Sequence, residues 1–180
     1  MATPLELLKS APISGTYPER WFDATGECTW VVFRPPEDDP WVGVFGNGGA
    51  TRYTEAFLSS DGKTAYVFAC GQGYAVSFPS GELLFRTDCD YLTAALVVPN
   101  SPYVLACDFT ELHVYSAAGE VWTSDQVALD GIRLLSADSL GAEAAVWQPD
   151  GWYELAVSFD PFLAEQRALL TKDWYAYSTM

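Results

Sequence analysis

The chain repeats itself at an interval of roughly 38 residues, and this limits its fold more than any other feature. Tyr66-Val67-Phe68-Ala69-Cys70 recurs as Tyr103-Val104-Leu105-Ala106-Cys107. Val76-Ser77-Phe78, followed by Ser80-Gly81-Glu82, recurs as Val114-Tyr115-Ser116 followed by Ala118-Gly119-Glu120. A third copy has drifted further: Ala144-Ala145-Val146-Trp147, then Leu155-Ala156-Val157-Ser158-Phe159. A weaker, earlier copy is Thr29-Trp30-Val31-Val32-Phe33, then Trp41-Val42-Gly43-Val44-Phe45. One such unit is too small to bury its own apolar face, so neighbouring units must stack on one another.

The clearest unit reads as four short β runs separated by turn residues. Ala56-Phe57-Leu58 precedes Ser60-Asp61-Gly62-Lys63, where Asp-Gly tolerates the left-handed backbone of a tight turn. Ala65 to Cys70 follows, then Gly71-Gln72-Gly73, Tyr74 to Phe78, Pro79-Ser80-Gly81, and Glu82 to Arg86. The expected fold is mainly β: one domain over 1–180, built of tandem four-stranded antiparallel meanders with units at about 17–55, 56–92, 94–130 and 132–170. The composition agrees. Apolar residues make up 49% and charged residues 18%, which excludes a disordered chain, and the 15% aromatic content suits strands.

The hairpin Phe57-Leu58-Ser59-Ser60-Asp61-Gly62-Lys63-Thr64-Ala65-Tyr66-Val67 resembles the inner hairpin of a β-propeller blade of the WD40 or YVTN kind. Val114-Tyr115-Ser116-Ala117-Ala118-Gly119-Glu120-Val121-Trp122 resembles the outer one. The likeness spans roughly residues 55–160, and no copy carries the Gly-His to Trp-Asp signature. It implies a small or incomplete propeller-like array. Either four blades fill the chain and close, or an open run of sheets is capped by the terminal segments.

One helix is expected at the N-terminal end, and a second is one of two readings at the C-terminal end. Thr3 to Glu6 has capping-box spacing with Pro4 at the first helical position, which predicts a short helix over about 4–10. Asp160-Pro161 is a helix start of the same kind, and Phe162, Leu163, Leu169 and Leu170 share one helical face. Residues 161–171 therefore read either as a helix covering an edge or as the last outer strand. Trp174-Tyr175-Ala176-Tyr177 reads as a terminal strand.

The four cysteines, Cys28, Cys70, Cys89 and Cys107, have no CxxC spacing, and His113 is the single histidine. This spacing predicts no metal and no cofactor. Cys70 and Cys107 sit in apolar runs and read as small buried thiols. Met1 to Lys9 lacks a basic segment before a long apolar run, and no stretch is long and apolar enough to span a bilayer. A cytoplasmic protein without membrane contact is expected.

Catalytic signals are weak. His113 lies in a strand-like run, and Asp108 and Glu111 are near enough in sequence to orient it; the expectation is an exposed strand histidine. No GxSxG elbow occurs, and Gly46-Asn47-Gly48-Gly49 lacks the partners of a phosphate loop and reads as a hairpin turn.

Charge says more. The net charge of −15 excludes nonspecific binding to the nucleic-acid backbone, which needs Lys and Arg. Between Arg86 and Arg133 there is no Lys or Arg, while Asp88, Asp90, Asp108, Glu111, Glu120, Asp125 and Asp130 fall in that interval. Glu37, Asp38 and Asp39 lie in a proline-stiffened loop ending at Trp41, a residue type common at interface centres. A basic protein partner is expected to meet Glu37, Asp38, Asp39, Trp41, Asp88, Asp90, Glu120 and Asp125.

By analogy of size and charge, the concrete expectation is a noncatalytic protein-binding module, such as a bacterial immunity protein that neutralises a basic toxin. The alternatives are a small hydrolase or lyase using Asp108, Glu111 and His113, a scaffold subunit, or a DNA mimic.

Overall fold

The computed structural model describes residues 3–170, and within them every regular element is a β-strand. Sixteen strands form four four-stranded sheets, an arrangement compatible with a propeller. The first sheet contains β1 (Leu5–Leu8), β2 (Glu19–Phe22), β3 (Cys28–Phe33) and β4 (Trp41–Gly46) in the order β1-β3-β4-β2. Its β2–β4 pair is parallel and its other pairs are antiparallel. The second sheet is a simple antiparallel meander of β5 (Glu55–Leu58), β6 (Thr64–Ala69), β7 (Gln72–Ser77) and β8 (Leu83–Arg86). The third repeats it with β9 (Ala94–Val97), β10 (Val104–Cys107), β11 (Leu112–Ser116) and β12 (Gly119–Thr123). The fourth has β13 (Ile132–Ala137), β14 (Gly141–Gln148), β15 (Gly151–Phe159) and β16 (Phe162–Leu169).

Successive side chains of a strand point to opposite faces, and here each face of an inner sheet meets a different neighbour. Ala65, Val67 and Ala69 of β6 pack with Val31, Phe33 and Phe45 of the first sheet. Tyr66 and Phe68 of the same strand pack with Val104, Ala106 and Tyr115 of the third. Leu105, Cys107, Leu112 and Val114 face the fourth sheet, against Ala144, Val146, Leu155 and Val157. Buried clusters thus join the first sheet to the second, the second to the third and the third to the fourth. Among the described residues, no buried cluster joins the fourth back to the first.

Local chemistry sets the turns. Between β5 and β6, Asp61 Oδ1 accepts hydrogen bonds from Ser59 Oγ at 2.6 Å and from the Lys63 N–H at 3.0 Å. Gly62 supplies the positive φ of 71° that the turn requires.

The expected N-terminal helix is corrected, and of the two readings of 161–171 the outer strand is the one observed. Residues 5–8 form strand β1, pairing Leu5 with Phe33 and Leu8 with Trp30, and Glu6 forms an ion pair with Arg34. A helix so short is marginal by itself, whereas pairing with β3 satisfies its backbone groups at once. Residues 162–169 form β16, with Phe162 and Ala164 turned toward the core between the third and fourth sheets. Burial alternates over Phe162, Leu163 and Ala164, with Leu163 exposed, and Asp160-Pro161 connects β15 to β16. The strand expected at 174–177 lies outside the described residues.

Gly46-Asn47-Gly48-Gly49 is not a hairpin. It carries the chain from β4 to β5, and the Gly48 N–H donates to the Ala69 carbonyl at 2.8 Å. Cys70 is only half-buried, at a turn position with φ 48°, while Cys107 is buried as expected.

Candidate functional site

The third sheet and the loop that enters it bring together residues far apart in sequence. The β8–β9 loop carries Asp88, Cys89, Asp90 and Tyr91, the β10–β11 turn carries Asp108 and Glu111, β11 carries His113, and β12 carries Glu120 and Thr123. His113 has the strand parity of Tyr115, and the two rings stack at 6.0 Å with planes 11° apart. Tyr115 belongs to the core between the second and third sheets, so His113 points to the same side.

His113 is therefore buried, not exposed, with 7% of its side chain accessible. A face that would meet solvent in a free-standing meander meets the neighbouring sheet here. Its Nε2 lies 3.4 Å from Asp108 Oδ2 and its Nδ1 lies 2.9 Å from Glu120 Oε1. Thr123 Oγ1 is 3.4 Å from Nδ1.

Asp108 is held by its own turn. Its Oδ1 accepts hydrogen bonds from the Thr110 N–H at 2.6 Å and from the Glu111 N–H at 2.7 Å. Burial disfavours the charged carboxylate, yet His113 and these two N–H groups outweigh it and hold the Asp108 pKa below its usual value. Burial likewise opposes charge on His113, but hydrogen bonds to Asp108, Cys89 and Glu120 push its pKa up to about 10. An imidazole held in this way is protonated at neutral pH and is a poor general base.

Of the three catalytic candidates, the fold joins Asp108 and His113 but not Glu111, which enters the cluster through its backbone N–H. Cys89 belongs to the group and was not singled out as a site residue; its Sγ, an Asp108 carboxylate oxygen and a His113 ring nitrogen all lie within 4.8 Å of one another. Sequence spacing does not reveal it, because Cys89 meets Asp108 only once β9 pairs with β10, with Ala94 opposite Cys107 and the Thr93 N–H bonded to the Cys107 carbonyl. The largest cavity described, about 510 Å³, lies elsewhere, on the fourth sheet among Glu143, Ala156, Leu163 and Arg167.

The expected partner-binding residues separate into two regions. Asp88 and Asp90 flank Cys89, Glu120 contacts His113, and Asp125 follows two residues after Thr123; all four are exposed around the same corner. Glu37, Asp38 and Asp39 are also exposed, but in the β3–β4 loop at the opposite end of the sheets. Trp41 is not at the surface. It is 4% exposed, stacks on Phe33 at 3.9 Å between ring centroids, and carries the Arg20 guanidinium at 4.5 Å.

No family model matches the chain, and no curated protein matches it. Among solved structures it is similar to one described as "Crystal structure of the eukaryotic initiation factor", with 12% identity and a TM-score of 0.48. That match covers 81% of this chain and 41% of the other. It is also similar to "KlHsv2 with loop 6CD replaced by a Gly-Ser linker", with 9% identity, a TM-score of 0.39, and coverage of 79% and 65% respectively. The chain thus spans less than two thirds of either structure. Among the described residues no helix is long and apolar enough to cross a membrane.

Proposed function

We propose that this chain is a noncatalytic binding module that docks a cationic protein on the acidic corner of its third sheet. Its most concrete form is a bacterial immunity protein that covers the active site of a basic toxin. The scaffold on this reading is a propeller-like array of the WD40 or YVTN type, acting in the cytoplasm.

One observation carries the reading. The third sheet and the loops on either side of it, from Thr87 to Gly131, contain no Lys or Arg. They hold Asp88, Asp90, Asp108, Glu111, Glu120, Asp125 and Asp130. His113 supplies the sole cationic side chain there, and it is buried between Asp108 and Glu120. An uncompensated negative field of this kind speeds encounter with a positively charged surface and weakens with salt.

The hydrolase or lyase alternative needs a free base in a cavity. Both ring nitrogens of His113 already face carboxylates, and the ring is closed off from solvent. A DNA mimic needs rows of carboxylates along one face, whereas the exposed acids here are divided between strands, as at Glu55, Glu120 and Glu165, and loops at both ends of the sheets.

The test is affinity capture from cell extract at low salt with elution at high salt, then association kinetics with the purified partner. Neutralising the corner with D88N, D90N and D125N together should slow association by about tenfold or more. The same neutralisation of Glu37, Asp38 and Asp39 should have a smaller effect. Failure to capture a basic, salt-sensitive partner, or equal effects of the two variants, would overturn the reading.

A further inference from the structure

We propose that Cys89, Asp108 and His113 form a binding site for one divalent transition-metal ion, with zinc the best fit, that clips the β8–β9 loop to the third sheet. The first support is distance. A tetrahedral ion with bonds of about 2.0–2.3 Å holds its ligand atoms roughly 3.3–3.8 Å apart. Asp108 Oδ2 and His113 Nε2 are 3.4 Å apart, and Cys89 Sγ completes a triangle whose sides are all within 4.8 Å.

The second support is orientation. A metal-binding imidazole characteristically turns its other ring nitrogen to a carboxylate, which fixes the ring and makes it a better ligand. His113 Nδ1 faces Glu120 Oε1 at 2.9 Å, leaving Nε2 for the ion. Asp108 is arranged the same way. Its Oδ1 is occupied by the Thr110 and Glu111 N–H groups, and its Oδ2 is turned to the cluster. Thr87 Oγ1 donates to the Cys89 carbonyl at 2.7 Å and fixes the loop that presents the thiol.

The third support is ligand chemistry. Thiolate, imidazole and carboxylate together suit zinc or cobalt, and not the all-oxygen sites of calcium or magnesium. Metal ligation takes the thiolate and the neutral imidazole, so binding releases protons and strengthens as the pH rises. Three protein ligands leave a fourth position for water. The ion would add a second fastening to a loop that the Leu92 N–H bond to the Gly71 carbonyl and the Thr93 N–H bond to the Cys107 carbonyl already hold.

The test uses the full chain, stripped with a chelator and titrated with zinc by calorimetry and with cobalt by absorption spectroscopy. One equivalent should bind, and the cobalt form should show a thiolate-to-cobalt charge-transfer band. Cys89→Ser should abolish that band, while Cys28→Ser and Cys70→Ser should keep it. Glu120→Gln, which leaves all three ligands in place, should weaken zinc binding about 10- to 100-fold. Cys89 and Glu120 are both at least partly accessible, so these two variants answer the question even if His113→Gln does not fold. Absence of stoichiometric binding, or binding unchanged in Cys89→Ser, would overturn the proposal. Neither result bears on capture of a cationic partner.

Discussion

Glu120 Oε1 lies 2.9 Å from His113 Nδ1, so an acid on the outer strand of the third sheet reaches inward to the one histidine of the chain. On the other side of the ring stands Asp108, almost wholly buried. The two carboxylates are unequal. The Glu120 side chain is 43% exposed and that of Asp108 only 2%.

This difference predicts unequal costs of removal. Asp108→Ala strips a buried imidazole of its counter-charge and leaves the Thr110 and Glu111 N–H groups without their acceptor, so it should cost about 3–5 kcal/mol. Glu120→Ala removes a partly solvated pair and should cost about 1 kcal/mol or less. Urea unfolding of the two variants measures both, and equal costs would contradict the structural account.

Gly48 is predicted to tolerate no side chain, although its neighbour Gly49 does. A Cβ on Gly48 would come within 2.5 Å of the Asp90 carbonyl oxygen and 2.6 Å of that of Cys70. Both are backbone atoms and cannot swing away, so Gly48→Ala should destabilise by about 1–3 kcal/mol. Around Gly49 nothing lies within 4 Å, and Gly49→Ala should stay within about 0.5 kcal/mol of the parent. Thermal unfolding compares the pair.

Stability should fall at alkaline pH through the buried tyrosines. Burial raises the Tyr66 pKa well above its usual value of 10.0, and the nearby Asp61 charge adds to the rise. Tyr53 and Tyr115 are raised too, mainly by burial. The folded chain keeps these protons where the unfolded chain loses them, so the tyrosines' share of stability is fully present below about pH 10 and declines beyond it, adding to the His113 share, which is lost as the pH rises from about 6.5 toward 10. Unfolding midpoints measured against pH should bend downward there, and phenolate absorbance should appear together with unfolding. Tyr66→Phe should lessen the decline; because the Tyr66 hydroxyl is buried without a hydrogen-bond partner, its removal should cost little at neutral pH.

The repeated runs around Tyr66 and Tyr103, and the Asp61-Gly62 turn, made the four-stranded units readable, because strand period and turn chemistry are local properties. The same reason makes the first segment read wrongly as a helix and leaves 161–171 open between helix and strand. Thr3-Pro4 and Asp160-Pro161 carry local helix-start chemistry, but Leu5–Leu8 and Phe162–Leu169 each found an open sheet edge, and edge pairing satisfies more backbone groups than one or two helical turns can. No local signal encodes a free edge.

By itself, then, the sequence determined the β class, the four-stranded grouping, the Asp61-Gly62 turn and the acidic stretch free of Lys and Arg, since each is written in adjacent residues or in their sum. Tertiary structure alone decided that His113 is buried, that Trp41 faces inward, and that Cys89 meets Asp108 and His113. The physical reason is that a strand has two faces, and whether the second one meets water or another sheet depends on how the units stack. That stacking arises from contacts between residues far apart along the chain.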